Sequence, residues 1–89
     1  MKITSQDLQT LQLLDQYKCS ISISPQFLSL TDFEGDAHSV PHGVFENITD
    51  FCIETINGIT PKEGTPNSEM TDEQKGMIQL LFEIEKVLG

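Results

Sequence analysis

The sequence predicts a small α+β domain in which one helix precedes a short antiparallel β-hairpin or three-stranded meander, and two C-terminal helices pack on it. Three observations support this class. Apolar residues at helical spacing open the chain, alternating Ser and Ile follow, and two further segments with helical spacing close it. Because 89 residues leave room for one hydrophobic core, residues 1–89 are predicted to form a single domain.

The first helix is predicted from about residue 5 to residue 18. Thr4 is a suitable N-cap, and Asp7 three residues later completes a capping box. The apolar residues that recur at helical spacing, and that are therefore predicted to face the core, are Leu8, Leu11, Leu14 and Tyr17.

Strand patterning begins immediately afterwards. Ile21 and Ile23 alternate with serines, which is typical of a half-buried strand, and Pro25 ends the run. A second strand is predicted at about residues 27–31. A third, over residues 37–40, has few apolar residues to support it, so the sequence leaves a hairpin and a meander as alternatives.

Two helices are predicted to complete the chain. The second runs from about residue 44 to residue 57, with Gly58 as its left-handed C-cap. The third runs from about residue 72 to residue 88 and begins with a capping box at Thr71. Between them, residues 60–70 are rich in Pro and Gly and are predicted to form a flexible loop.

Charge restricts the possible partners. The net charge is -9, the chain has no arginine, and the 43 residues between Lys18 and Lys62 include no positive side chain. Nucleic acids and anionic membrane surfaces would be repelled, and the lack of arginine argues against a phosphate-binding site. A basic protein surface is the expected partner, with no direct contact to nucleic acid or membrane.

Location and redox state follow from the N-terminus and the cysteines. No apolar run typical of a signal peptide is present, so a cytoplasmic location is expected. Cys19 and Cys52 belong to no Cys-x-x-Cys pair. Buried free thiols are favoured for them in a reducing compartment, and a disulfide between them is the alternative.

A candidate partner-binding site lies on the second helix. Glu46, Asp50 and Glu54 are spaced four residues apart and would form one outward acidic stripe, although like charges at this spacing destabilise a helix. Ile53 lies beside the stripe, where an exposed aliphatic side chain among acids is typical of an interface anchor. The alternative is an ordinary solvated helix face. The start of the helix also leaves two possibilities open, because with Asn47 as the N-cap Glu46 would lie outside the helix and the stripe would consist of two acids.

The third helix offers a second candidate surface. Ile78 and Phe82 widen its apolar arc beyond what packing on one side requires. They would contact either the rest of the domain or a second copy of the chain, so the sequence allows a monomer or a homodimer.

A metal site is the third and weakest candidate. Carboxylates and histidines are close in sequence between residues 32 and 42, but the glycine and glutamate positions of a calcium-binding EF-hand loop are not matched. Turn formation explains such residues equally well. We therefore predict no metal and no cofactor. The residues concerned are Asp32, Glu34, Asp36, His38 and His42.

These patterns together predict a small acidic binding protein without enzymatic activity, since no nucleophile motif or phosphate-binding loop is present. It would dock on a basic protein surface, most plausibly a nuclease or another nucleic-acid-binding protein, and inhibit or modulate it. A nucleic-acid mimic, an immunity protein and an anti-defence inhibitor of phage origin all fit this description. The alternative function is that of a structural or accessory subunit acting through its C-terminal helix.

Overall fold

The computed structural model describes residues 3–60 and 67–89. It confirms the predicted α+β class and shows a three-stranded meander rather than a two-stranded hairpin. Most of the predicted loop at residues 60–70 lies outside the described residues. In chain order the elements are α1 (Ser5–Gln16), β1 (Ser20–Ile23), β2 (Phe27–Thr31), β3 (Ala37–Pro41), α2 (Ile48–Ile59), a 3-10 turn (Asn67–Glu69) and α3 (Asp72–Leu88).

The three strands form one antiparallel sheet in the order β1-β2-β3. Leu28 lies opposite Ile23 on one side and opposite Val40 on the other. Leu28 and Leu30 are fully buried, and the residues between and beside them are more exposed. Burial therefore alternates along β2. The strand predicted from alternating Ser and Ile is present as β1, but its burial does not alternate in the same way, because Ile21 is half-buried and Ile23 is 45% exposed.

The core forms where all three helices and the sheet contribute apolar side chains. Phe51 is its largest buried residue and packs against Phe45 at a ring-centroid distance of 5.6 Å. None of the helices in the described part of the chain has the length and apolar content needed to cross a bilayer. The buried apolar residues are Leu14, Cys19, Leu28, Leu30, Ile48, Phe51, Cys52, Ile56, Met77, Leu80 and Ile84.

Helix α1 faces the core as predicted through Leu11, Leu14 and Tyr17, but its first turn is oriented differently. Leu14 is buried, but Leu8 is 55% exposed. The side chains buried one and two turns before Leu14 are instead Thr10 and Asp7. The prediction was wrong here because a hydrogen-bonded contact with α2, which the helical pattern does not reveal, determines the orientation of the first turn.

Helix α2 begins and ends later than predicted. Asn47 is its N-cap, and the segment from Val44 to Asn47 is not helical. Gly58 lies inside the helix rather than at a left-handed cap, and the C-cap is Thr60 in an extended conformation. The later start reflects local hydrogen bonding, because the Asn47 side chain supplies the cap that defines the first turn. At the other end, the Thr60 amide donates to the Ile56 carbonyl at 3.0 Å.

The link from α1 to β1 is a left-handed helix end without glycine. Lys18 has a φ of 62°, where glycine is usual. The amide of Cys19 donates to the Leu14 carbonyl at 2.9 Å, and that of Lys18 donates to the Asp15 carbonyl at 3.3 Å. These two bonds define a Schellman motif, which reverses the chain into the sheet at the expense of strain at the Cβ of Lys18.

Replacing Lys18 with glycine is therefore expected to stabilise the fold. Removing the Cβ relieves the left-handed strain, and we expect a gain of about 0.5–1 kcal/mol in the free energy of unfolding. Denaturant unfolding measures it. Lys18→Ala is the control, since it removes the charge but keeps the Cβ. An equal gain in both variants would show that charge, and not backbone strain, is responsible.

Candidate functional site

Acidic side chains are exposed on all three helices and on the turn between β2 and β3. In residues 3–60 and 67–89, the only contact between a lysine and a carboxylate within 4 Å joins Lys86 Nζ to Glu83 Oε1, at 3.8 Å. The negative charge is therefore largely uncompensated in this part of the chain. The exposed acids are Asp15, Glu34, Asp36, Glu46, Asp50, Glu54, Glu69, Asp72, Glu73 and Glu85.

The predicted acidic stripe is shorter than its sequence spacing implies. Asn47 Oδ1 accepts from the Asp50 amide at 2.8 Å, and Asn47 Nδ2 donates to Asp50 Oδ2 at 3.1 Å. Glu46 therefore precedes the helix and does not stack on Asp50. Asp50 and Glu54 remain, one turn apart on the exposed face of α2.

Ile53 does not form the exposed anchor that its position beside the acids suggested. Its side chain is half-buried and packs against the hydrophobic core. The apolar arc of α2 is wide enough to include it, because the helix contacts both α1 and α3. A partner approaching the acids would consequently meet only the edge of Ile53.

A buried polar cluster connects α1 to α2. Asp7 Oδ1 accepts from the amide of Thr49 at 3.1 Å and from its hydroxyl at 2.8 Å, and Asp7 Oδ2 accepts from the Thr4 amide at 3.0 Å. Thr10 Oγ1 lies 3.0 Å from Thr49 Oγ1 and donates to the Gln6 carbonyl. Asp7 is 0% exposed, so the fold holds a buried carboxylate with donors on both oxygens.

The environment of Asp7 favours its charged form. Burial raises its pKa, but the hydrogen bonds from Thr4 and Thr49 together lower the pKa below its ordinary value. The sequence predicts Asp7 in the cap of α1 but does not predict this second role. The one available signal was the hydroxyl of Thr49 in the first turn of α2, directly after the apolar Ile48.

The residues considered as metal ligands form a structural turn. Asp32 Oδ1 accepts from the amides of Glu34 and Asp36 at 2.9 and 3.0 Å, and His38 Nε2 donates to Asp32 Oδ2 at 2.8 Å. Burial raises the pKa of Asp32, and these hydrogen bonds lower it to below its usual value. Within the described ranges, no group of three or more His, Cys, Asp or Glu side chains is placed to hold a metal ion.

Both cysteines are buried, and no disulfide joins them. Burial raises the pKa of Cys19 to about 11, with a further contribution from the charge of Asp32. Burial likewise raises the pKa of Cys52 to about 12, and the charge of Asp7 adds to the shift. Since the thiolate is the reactive form, neither residue is suited to nucleophilic or redox chemistry at neutral pH.

The C-terminal helix leaves one aromatic side chain in solvent. Phe82 is 56% exposed. Ile78, one turn earlier, is half-buried and is not among the side chains that pack on the core. The residues of α3 that are buried in the core are Met77, Leu80 and Ile84. The side chains that widen the predicted apolar arc are therefore not buried within the described part of the chain.

Two shallow concavities border α1 and α3. The first, of about 230 Å³, is lined by Tyr17, Phe33 and Met77 together with the first turn of α3. The second, of about 360 Å³, lies between α1 and the end of α3 and is lined mainly by glutamines. Binding sites for small molecules usually measure about 300–1,000 Å³ and are mostly apolar. The first concavity is smaller than this range, and the second is lined mostly by polar side chains.

Comparisons with known proteins provide no relative for this chain. No protein-family model, curated protein or solved structure matches it.

The Asp7 cluster leads to a pH prediction. The folded-state pKa of Asp7 is lowered from an ordinary value of 3.8, so its stabilising contribution is complete above that value and is lost as the pH falls through the folded-state pKa. Asp7→Asn should reduce the free energy of unfolding by about 1–3 kcal/mol at pH 7. The free energy of unfolding of this variant should also fall less steeply than that of the wild type as the pH drops below about 4.

Urea unfolding between about pH 2 and pH 7 measures this effect. Asp15→Asn, an exposed site on the same helix, is the matched control and should leave both stability and its pH profile close to those of the wild type. If Asp7→Asn behaves like Asp15→Asn, the buried cluster does not stabilise the contact between α1 and α2.

Proposed function

We propose that this chain is a small acidic binding protein without enzymatic activity, which docks on a basic surface of another protein and inhibits or modulates it. The observation that carries the proposal is the exposed pair Asp50 and Glu54 on α2. Among the described residues no lysine lies within 4 Å of either carboxylate. Glu46, which is exposed one residue before the N-cap Asn47, provides a further charge near the start of the helix.

The spacing of these acids favours a particular class of partner. Side chains one helical turn apart have Cβ atoms about 5–6 Å from each other. This separation is comparable to that of successive phosphates on a nucleic-acid strand. A basic groove that normally contacts phosphates would therefore accommodate Asp50 and Glu54. Nucleases and other nucleic-acid-binding proteins provide such grooves, and occupying the groove would block it.

Electrostatic docking of this kind acts mainly on the rate of encounter. Complementary charges accelerate association and orient the two proteins, while the buried contacts at the centre of an interface set the rate of dissociation. The half-buried Ile53 offers little additional surface for such contacts. The complex is therefore expected to depend strongly on ionic strength.

Charge reversal tests the proposal. Asp50 is left unchanged because its carboxylate contributes to the cap of α2. Glu46→Lys with Glu54→Lys should weaken capture of the partner at least tenfold, because it inverts the local field. The measurement is recovery of the partner from a lysate of the cells that naturally make the protein, followed by salt elution.

The control carries the same change in net charge at distant exposed sites, Asp15→Lys with Glu85→Lys. It should retain most of the binding. Equal loss in both double variants would mean that total charge and not this region attracts the partner. Binding that resists high salt, or persists after reversal at Glu46 and Glu54, would contradict docking through the acids.

A second candidate function is a structural or accessory subunit that binds through α3. The exposure of Phe82, with Ile78 one turn away, supports it. In this case the chain should sediment as a dimer at tens of micromolar, and Phe82→Glu should yield a folded monomer. A wild-type monomer at that concentration would contradict association through this helix.

A further inference from the structure

Strand β1 lies at the edge of the sheet, and within residues 3–60 and 67–89 no strand pairs with its outer side. Its outward hydrogen-bonding groups can be identified from its pairing with β2. The amide of Ser24 donates to the Phe27 carbonyl at 2.9 Å. Bonded and non-bonded pairs alternate along an antiparallel ladder, so Ser22 bonds to its partner Ser29, while Ile21 and Ile23 do not bond to β2. The backbone N–H and C=O groups of these two isoleucines therefore point away from the sheet.

The other side of the sheet gives an independent check. The His42 amide donates to the Gln26 carbonyl at 2.8 Å, and the Asp32 amide donates to the Asp36 carbonyl at 2.9 Å. By the same alternation, the bonds of Leu28 and Leu30 run to β3. The backbone groups of the intervening β2 residues are then directed to β1, as the first observation requires.

The two edges of the sheet differ in how well they are protected against pairing. Edge strands are commonly guarded by charge or by proline. β3 ends in Pro41, which has no N–H to donate, and it follows a turn with exposed Glu34 and Asp36. β1 has neither protection, because residues 19–31 include no charged side chain and Pro25 lies beyond the strand, in the turn.

We infer that the open edge of β1 pairs antiparallel with β1 of a second copy of this chain, which joins two sheets into one of six strands. The outward groups define the register. Ile21 of each copy would exchange backbone bonds with Ile23 of the other, and Ser22 would lie on the two-fold axis as a non-bonded pair. The Ser-Ile-Ser-Ile sequence is complementary to itself in this arrangement.

The charge distribution leaves this edge open to a second copy. Two molecules of charge -9 repel each other wherever their acidic surfaces meet. Along β1, and on the serine-rich outer face that continues from it, the chain presents no ionised group. Two copies can therefore meet at this edge without placing acids opposite each other. Pairing would also cover Ile23, which is 45% exposed and lies on the core side of the sheet opposite Leu28.

The expected association is weak and increases with salt. A four-residue edge buries much less than the roughly 800 Å² per partner of a stable interface, so a dissociation constant on the order of 0.1–1 mM is expected. Salt screens the repulsion between the two acidic molecules and should favour the dimer. The proposed docking on a basic partner has the opposite salt dependence, so the two can fail separately.

A disulfide trap tests the register. The Cα atoms of a non-bonded antiparallel pair lie about 4.5 Å apart, within disulfide reach. Ser22→Cys should therefore form an intermolecular disulfide with oxidised glutathione as oxidant. Ser20→Cys lies on the same strand and face, but its two copies would be roughly 13 Å apart and beyond reach. Non-reducing electrophoresis of folded protein should show at least tenfold faster dimer formation by Ser22→Cys.

Sedimentation of proteins without an added cysteine gives a second test, which separates the possible interfaces. Ile23→Pro removes an outward N–H without removing a bond to β2, and proline is tolerated at such edge positions. At about 1 mM protein in high salt, this variant should remain monomeric while wild type and Phe82→Glu dimerise. Equal trapping of both cysteine variants, a monomeric wild type, or a dimer abolished by Phe82→Glu and not by Ile23→Pro would overturn the inference.

Discussion

The buried carboxylate of Asp7 is the interaction on which the arrangement of the helices depends. It caps the first turn of α1 through Thr4 and holds the first turn of α2 through both the amide and the hydroxyl of Thr49. A charge without water is costly unless each oxygen is hydrogen-bonded. Because the required donors come from two helices, only one relative placement of α1 and α2 satisfies the carboxylate. Leu8 is left in solvent as a consequence.

The same contact influences the candidate site. With Thr49 held by Asp7 and Asn47 capping the helix, α2 presents Asp50 and Glu54 outward and keeps Ile53 against the core. The acids therefore lie on an element fixed at its first turn, and not on a free loop. A rigid presentation reduces the entropy lost on binding, which matters for a contact that is mainly electrostatic.

The surface divides into two regions with different physical properties. The helices and the β2-β3 turn display uncompensated acids, whereas the outer face of the sheet displays hydroxyl groups, among them Ser39, which donates to Ser29 at 2.9 Å. Added salt weakens contacts that the acidic region makes with a basic partner. It strengthens contacts between two like-charged copies that meet through the uncharged sheet. Ionic strength thus distinguishes the two proposed interactions in one preparation.

The sequence by itself determined the class and order of the elements, because periodicity and caps are local. The alternation around Leu28 and Leu30 and the capping boxes at Thr4 and Thr71 are all retained in the structure. Even β3, predicted with little apolar support, pairs along its full length with β2. The candidate acids Asp50 and Glu54 are exposed, as their place on the polar face of α2 predicted.

Only the tertiary structure decided which helix faces are buried. Asp7 is buried because Thr49, 42 residues away, provides its donors. Ile53 is covered because neighbouring helices lie beside it. A local pattern reports the preference of one segment, whereas burial depends on partners that are distant in sequence, and these become neighbours only when the chain folds.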